Sequence, residues 1–206
     1  MSKIIKFFSL PFAWDQKVAF IISKPFIYFN IHPNIVTFIG ILLGFVSFFL
    51  YSSGNLFFAK IASLFFFLAA CFDHVDGVVA RKLKKTSVMG HYLDHLGVCI
   101  SYVILFIGLG LYEEKNSNTL GLNHALVSAF CIFLIMSIRL FLERLKGGSS
   151  IHQNNILGFE QEDLLYLIIP ITFFDKIGVF LYYSYLGTPI FLIITLVIFI
   201  FKIKKS

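Results

Sequence analysis

Charge is what this sequence has little of. Only 14% of its 206 residues are charged, against about 25% in a soluble domain. With 58% hydrophobic residues and a mean hydropathy of +0.88, that shortage excludes an ordinary soluble domain and leaves a polytopic membrane protein. Tryptophan is nearly missing, with Trp14 alone, whereas phenylalanine reaches 27 residues. Cysteine is sparse and odd in number: Cys71, Cys99 and Cys131 all lie in apolar runs. That excludes a disulfide framework and reads as small apolar filling. The six histidines are scattered, too few for the several histidine-rich boxes that a di-iron reading of His91-x-x-x-His95 would need. Before Asn30 the apolar stretches are short and carry Lys3, Lys6, Lys17 and Lys24, so no cleavable leader is expected. A net charge of +6 could suit nucleic acid. The basic residues gather at the ends of apolar runs instead, which points to the anionic headgroups of a lipid bilayer and away from nucleic acid.

The expected fold is all-α: six transmembrane helices preceded by an amphipathic interfacial helix. Residues 1–30 form that juxtamembrane helix, lying in the membrane interface, and 31–206 form the membrane domain. The first span runs from Pro33, a residue suited to a helix start, to about Ser53, close to the ~20 residues that cross a bilayer. "SSGN" is a turn. The second runs from about Leu56 into Arg81, the third from about Ser87 to Tyr112, and the fourth from about Leu122 to Leu145. Asp163 to Lys202 holds two more, with their turn at Asp175-Lys176 or at "YYSYLGTP". Glu160, Glu162 and Asp163 suit the start of the fifth helix, where the dipole favours acidic residues.

Basic residues mark alternate span ends: the N-terminal lysines, then Arg81, Lys82, Lys84 and Lys85, then Arg144 and Lys146, then Lys202, Lys204 and Lys205. Glu113 and Glu114 mark an opposite end. The positive-inside rule therefore predicts cytoplasmic termini and places residues 73–94 toward the cytoplasm.

Those residues hold the chemistry. A charge at bilayer depth costs ~2.5–3.5 kcal/mol on insertion scales, so each is a candidate functional group. Asp73 and Asp76 are three apart and share a helix face. Gly77 and Ala80 follow on it, leaving room for a bulky ligand near the backbone. Arg81 stands one turn after Gly77, where a guanidinium could meet a phosphate. Gly90 and Asp94, four apart on the next helix, can face the same space. Three carboxylates in a low dielectric repel, and hard divalent cations such as Mg²⁺ or Mn²⁺ resolve that repulsion through oxygen ligands. A metal site flanked by arginine and open to the cytoplasm reads as a phosphate or diphosphate site.

The pattern Asp73-x-x-Asp76-Gly77-x-x-Ala80-Arg81, eight residues, Gly90, three residues, Asp94 resembles the signature of the CDP-alcohol phosphotransferase family. "HPNIVTFIGILLG", from His32, is similar to the Pro-Asn-x-x-Thr opening of that family's first span. The resemblance implies a transferase of phospholipid biosynthesis. A CDP-linked lipid donor such as CDP-diacylglycerol binds through its diphosphate to two Mg²⁺ or Mn²⁺ ions. A small alcohol or phosphorylated alcohol attacks the β-phosphate, and CMP leaves. It implies Asp73, Asp76 and Asp94 as metal ligands and Gly77, Ala80 and Arg81 as diphosphate contacts. Asn34 and Thr37 come near the nucleotide, and Gly90 counts with this nucleotide-binding set. It leaves room for a homodimer.

One position departs. The family pattern places a further aspartate, a metal ligand and general base, four residues after Asp94. Here that residue is Val98, which can do neither. A positioned base contributes typically 10²–10⁴-fold. Three readings follow. His95, about +100° round the helix from Asp94 and about 4.5 Å along the axis from Val98, serves as a stand-in base. Alternatively, the chain is a degenerate homologue that binds CDP-lipid or nucleotide without turnover. Or transfer uses a different donor or needs no base, because a loose phosphoryl transition state deprotonates its nucleophile late. A remoter reading makes the carboxylates the ion path of a small transporter, which the Arg81 and glycine spacing fits poorly. Outside the cluster, His74 reads as a polar neighbour. Arg139 either binds an acceptor's phosphate or pairs with Glu143. Arg144, Lys84 and Lys85 anchor helix ends, and Asp175-Lys176 is a turn on the far side.

Overall fold

Local capping chemistry sets where the long helices begin. The His32 ring accepts a hydrogen bond from the Asn34 N–H, and Pro33 fills the first helical position, where no N–H is needed. Asn55 Oδ1 accepts from the N–H groups of Phe57 and Phe58, and Ser87 Oγ accepts from that of Gly90. The computed structural model describes residues 14–116, 119–145 and 165–203. In chain order the helices are α1 (Trp14–Tyr28), α2 (Pro33–Ser52), α3 (Leu56–Lys82), α4 (Val88–Lys115), α5 (Gly121–Leu145), α6 (Ile168–Phe173) and α7 (Ile177–Ile203).

The chain is a polytopic all-α membrane protein. Five of the described helices, α2, α3, α4, α5 and α7, are long and apolar enough to cross a bilayer. The remaining expected span is the fifth, assigned to open near Asp163. It is described only from residue 165, as a single 3-10 turn and α6, and Glu160, Glu162 and Asp163 lie outside the described residues. Of the two turns left open for the last pair, the chain takes the first. Asp175 sits at φ +53 between α6 and α7, whereas "YYSYLGTP" runs through helix, with Pro189 inside α7. Of the expected N-terminal helix, the portion from Trp14 is present as α1. It buries Ala19 against Val75 and Val79, and Lys82 Nζ lies 5.7 Å from the centre of the Phe20 ring. The three cysteines are free and buried, as small apolar filling should be.

The helix order creates a cleft. α2 packs extensively on both α3 and α4, while α3 and α4 touch each other far less. α2 is thus a floor, with α3 and α4 standing apart above it. Glycines let α2 approach both: a Cβ at Gly40 would meet Phe72 Cβ at 3.3 Å, and one at Gly97 would meet Ile41 at 3.1 Å. Beyond the cleft, Tyr51, Phe66, Leu105, Phe106 and Leu109 form the main apolar core. α5 closes on α4 where Gly110 lies 2.5 Å, measured from an added Cβ, from the Cβ of Ala125.

The two ends of the bundle are tied differently. At the end away from the basic residues, Lys115 Nζ donates to the Ser52 carbonyl and Asn116 Nδ2 to the Gly54 carbonyl. Gly54 turns at φ +76, a conformation that disfavours side chains. Tyr112 donates to Asp175 Oδ1, and the buried hydroxyls of Tyr51 and Thr172 share a hydrogen bond of 2.8 Å. At the basic end, Lys85 Nζ donates to Asn30 Oδ1 at 2.7 Å, tying the α3–α4 loop to the turn before α2.

Candidate functional site

Two cavities meet in the cleft. The outer one, about 170 Å³, is lined by Asn34, Thr37, Asp76, Gly77, Ala80, Arg81, Lys85, Gly90, His91 and Asp94 among others. The inner one, about 20 Å³, takes in Thr37, Asp73, Asp76, Asp94, Val98, Ser101 and Tyr102. Thr37, Asp76 and Asp94 line both, so they form the boundary between a basic mouth and a more apolar interior. Every nucleotide-side and metal-side residue expected from the sequence therefore lines one of these two cavities, and His95 does not.

Asp76 is buried, 3% exposed. Its Oδ2 accepts a hydrogen bond from the Thr37 hydroxyl across the α2–α3 contact. The same hydroxyl stands 3.3 Å from the Pro33 carbonyl, but it has one proton to give, and a carboxylate is the stronger acceptor. The Thr37 methyl is held against Gly97, 3.4 Å from where a Cβ would stand there. Thr37 thus has its rotamer set on one side by α4 and its hydroxyl aimed at α3. The family resemblance implies Thr37 near the nucleotide; its contact with Asp76 is a cross-helix relation that spacing along one chain does not reveal.

Asp76 also interacts electrostatically with Asp94 and His74. Asp94 has its Oδ1 buried with no hydrogen-bond partner. Buried polar atoms are nearly always satisfied, so such an atom calls for an explanation, and a role as a cation ligand is one. Among the described residues no group of three or more His, Cys, Asp or Glu side chains is gathered closely enough to hold a metal ion. The donor chemistry nevertheless fits a hard divalent cation: three carboxylates line one small cavity, one of them with an orphaned oxygen.

Arg81 is exposed and folds back over its own helix, with a guanidinium nitrogen 3.3 Å from where a Gly77 Cβ would be. Gly90 is crowded by Ser87 Oγ at 3.0 Å and Asn34 Oδ1 at 3.4 Å, measured the same way. Both glycines thus admit a polar side chain against the backbone at the outer cavity. That cavity carries two fixed cations, Arg81 and Lys85, and the Asn34 amide, a set suited to an anionic ligand.

The expected stand-in base sits elsewhere. His95 Nε2 is 3.0 Å from the Met136 carbonyl on α5. On an ideal helix His95 is about 60° round from Val98. α5 occupies that side, so the imidazole meets α5 rather than the carboxylates. Val98 does line the inner cavity, and it packs on the main core.

Comparison with known proteins agrees with this arrangement. Over 106 residues the chain is 34% identical to a protein of Aquifex aeolicus (strain VF5) described as an uncharacterized protein, a match that takes in 50% of this chain and 52% of that one. The chain thus spans about half the length of that relative. The family model described as CDP-alcohol phosphatidyltransferase matches residues 30–203, which takes in all five membrane-crossing helices and both cavities, and the chain belongs to that family.

Proposed function

We propose that the protein moves a phosphatidyl or similar substituted phosphate group from a CDP-linked lipid, of the CDP-diacylglycerol kind, to a small alcohol or phosphorylated alcohol, releasing CMP. The observation that carries this reading is the joining of the two cavities at Asp76, Asp94 and Thr37. A cationic pocket opens on one side of the carboxylates and an apolar interior on the other, as an amphiphilic diphosphate requires.

Arg81, Lys85 and Asn34 take the nucleotide diphosphate, with Gly77, Ala80 and Gly90 keeping the wall low. Asp73, Asp76 and Asp94 hold divalent cations, Mg²⁺ or Mn²⁺. When bound, these supply charge neutralisation to the phosphoryl group. Thr37 keeps Asp76 in one rotamer. Asp94 presents an oxygen that no protein group takes. Positioning the acceptor against the phosphorus supplies much of the acceleration in such reactions, because effective molarities are large. With Val98 at the deep wall and His95 turned to α5, transfer relies on this positioning more than on a side-chain base. The active site and both chain ends face the cytoplasm by loop charge.

Val98 also supports a second reading. Its packing on the core leaves an apolar wall where the family pattern has a carboxylate, which suits a protein that binds CDP-lipid without turnover. One experiment separates the two. The purified protein is incubated with CDP-diacylglycerol, Mn²⁺ and a panel of alcohols, and CMP release is measured beside thermal stabilisation. Release that disappears in Asp73→Asn and Asp76→Asn supports the transferase. Stabilisation that needs both aspartates, without release, supports the binding protein. Equal stabilisation in both variants refutes the site.

A further inference from the structure

Two helix ends are locked together beside the outer cavity. α1 is closed by Asn30 at φ +53. The Asn30 N–H donates to the Ile27 carbonyl and the Ile31 N–H to that of Phe26. α3 is closed in the same way by Lys84 at φ +54. The Lys84 N–H donates to the Arg81 carbonyl and the Lys85 N–H to that of Ala80. Both are Schellman caps, whose left-handed position is usually glycine. Asparagine enters that conformation less freely than glycine, so its side chain needs a reason to be there.

The reason is Lys85. Its Nζ donates to Asn30 Oδ1 at 2.7 Å and to the Asn30 carbonyl at 3.2 Å. One residue thus takes two of the three N–H groups of the ammonium and leaves the third free. Lys85 lines the outer cavity together with Arg81 and Asn34. We propose that Asn30 is a positioning residue of the diphosphate pocket, holding the Lys85 ammonium at the cavity wall before a ligand arrives. The inference rests on the outer cavity taking a nucleotide diphosphate, as above. A lysine on its flexible four-carbon stem otherwise loses its rotamer freedom at the moment of binding, and that loss is subtracted from affinity. Asn30 moves the ordering into the folded protein. It also ties α1 to the site. Ala19 of α1 packs on Val75 and Val79, the neighbours of Asp76 and Ala80 along α3, and Ile31, the residue after Asn30, packs on the same cluster. The turn that carries Asn30 is therefore fixed by the helix whose end it meets.

The test measures CDP affinity by thermal stabilisation of the full-length protein in detergent with Mn²⁺. Asn30→Gly keeps the left-handed turn and removes Oδ1. Its Tm without ligand should stay close to wild type, while CDP affinity falls about three- to tenfold, the effect of one long side chain left to be immobilised on binding. Lys85→Met, which leaves the α1 cap untouched, should lose at least as much. Asn30→Gly added to Lys85→Met should weaken CDP no further, because residues acting through one contact are non-additive. A residue that only caps α1 would move Tm and leave CDP affinity alone. CDP affinity unchanged or tighter in Asn30→Gly would therefore overturn the proposal, and so would losses that add in the double variant. Absence of any stabilisation by CDP in wild type would instead bring down the nucleotide reading of the outer cavity, and the proposal with it, so the two failures are told apart.

Discussion

The Thr37 hydroxyl donates to Oδ2 of Asp76 across the contact between α2 and α3, and the Thr37 methyl rests against Gly97 of α4. One residue of the floor helix thus touches both helices that carry the carboxylates. Thr37→Val keeps the shape and removes the donor. The buried carboxylate then loses its side-chain hydrogen bond and keeps the backbone one at Gly77, a loss of about 1–3 kcal/mol. The expected outcome is a lower Tm and a Mn²⁺ requirement for CDP stabilisation that rises on the order of tenfold, the fold-change that 1.4 kcal/mol represents. Thr37→Ser should restore most of the Mn²⁺ response. Equal responses in the valine and serine variants would show that the hydroxyl does not position Asp76.

Val98 and His95 separate the chemistry from the packing. Val98→Asp adds a carboxylate to the inner cavity. Without divalent cation it should lower Tm, because it places an unpaired charge beside the core. With Mn²⁺ the deficit should shrink, and CMP release should rise by up to ~10²–10⁴ if a base is what the site lacks. His95→Ala should leave release within about twofold and cost roughly 0.5–1.5 kcal/mol of stability, the net worth of a hydrogen bond such as the one to Met136. A collapse of turnover in His95→Ala with CDP-lipid affinity intact would reinstate histidine as the base.

The α4–α5 contact makes a claim independent of function. At Gly110 an added Cβ would stand 2.5 Å from that of Ala125 and 3.1 Å from the Cα of Leu122. One of those atoms is backbone, so neither neighbour can swing away. Gly110→Ala should destabilise by about 1–3 kcal/mol through overpacking. Gly187→Ala, placed in open space, should be nearly neutral. Thermal unfolding in one detergent, both variants side by side, checks the contrast.

Membrane orientation is open to a direct measurement. The native cysteines are buried, so they give a low labelling background. Lys84→Cys should react with a membrane-impermeant maleimide only from the cytoplasmic side, and Asn123→Cys only from outside. The reverse pattern would put the carboxylates on the other face.

Much of the fold was legible because membrane helices announce themselves by length and apolarity, and because Pro33, Asn55 and Ser87 carry their caps in their own chemistry. That Asp73 and Asp76 share one face of α3 was legible from their spacing, and the structure brings them together with Asp94 of α4 at one small cavity. What was not legible depends on neighbours in space. An angle on an ideal helix kept His95 in play for the site; α5, standing on that side with the Met136 carbonyl, takes its ring. Pro189 and the polar letters of "YYSYLGTP" offer a turn as readily as Asp175-Lys176 does. They form helix because the turn chemistry was already supplied at Asp175, with its left-handed backbone. The apolar groove between α4, α5 and α7 has no sequence signature at all, being apolar residues from distant segments among many others like them.

Arg81 lies where a side chain at position 77 would be, with its guanidinium nitrogen 3.3 Å from an added Cβ. The two positions are therefore coupled. A residue larger than alanine at 77 displaces the guanidinium from where it now lies, so it acts on Arg81 without replacing it. Effects of changes at the two positions should be strongly non-additive, as for residues in direct contact. Drift at either one is constrained by the other.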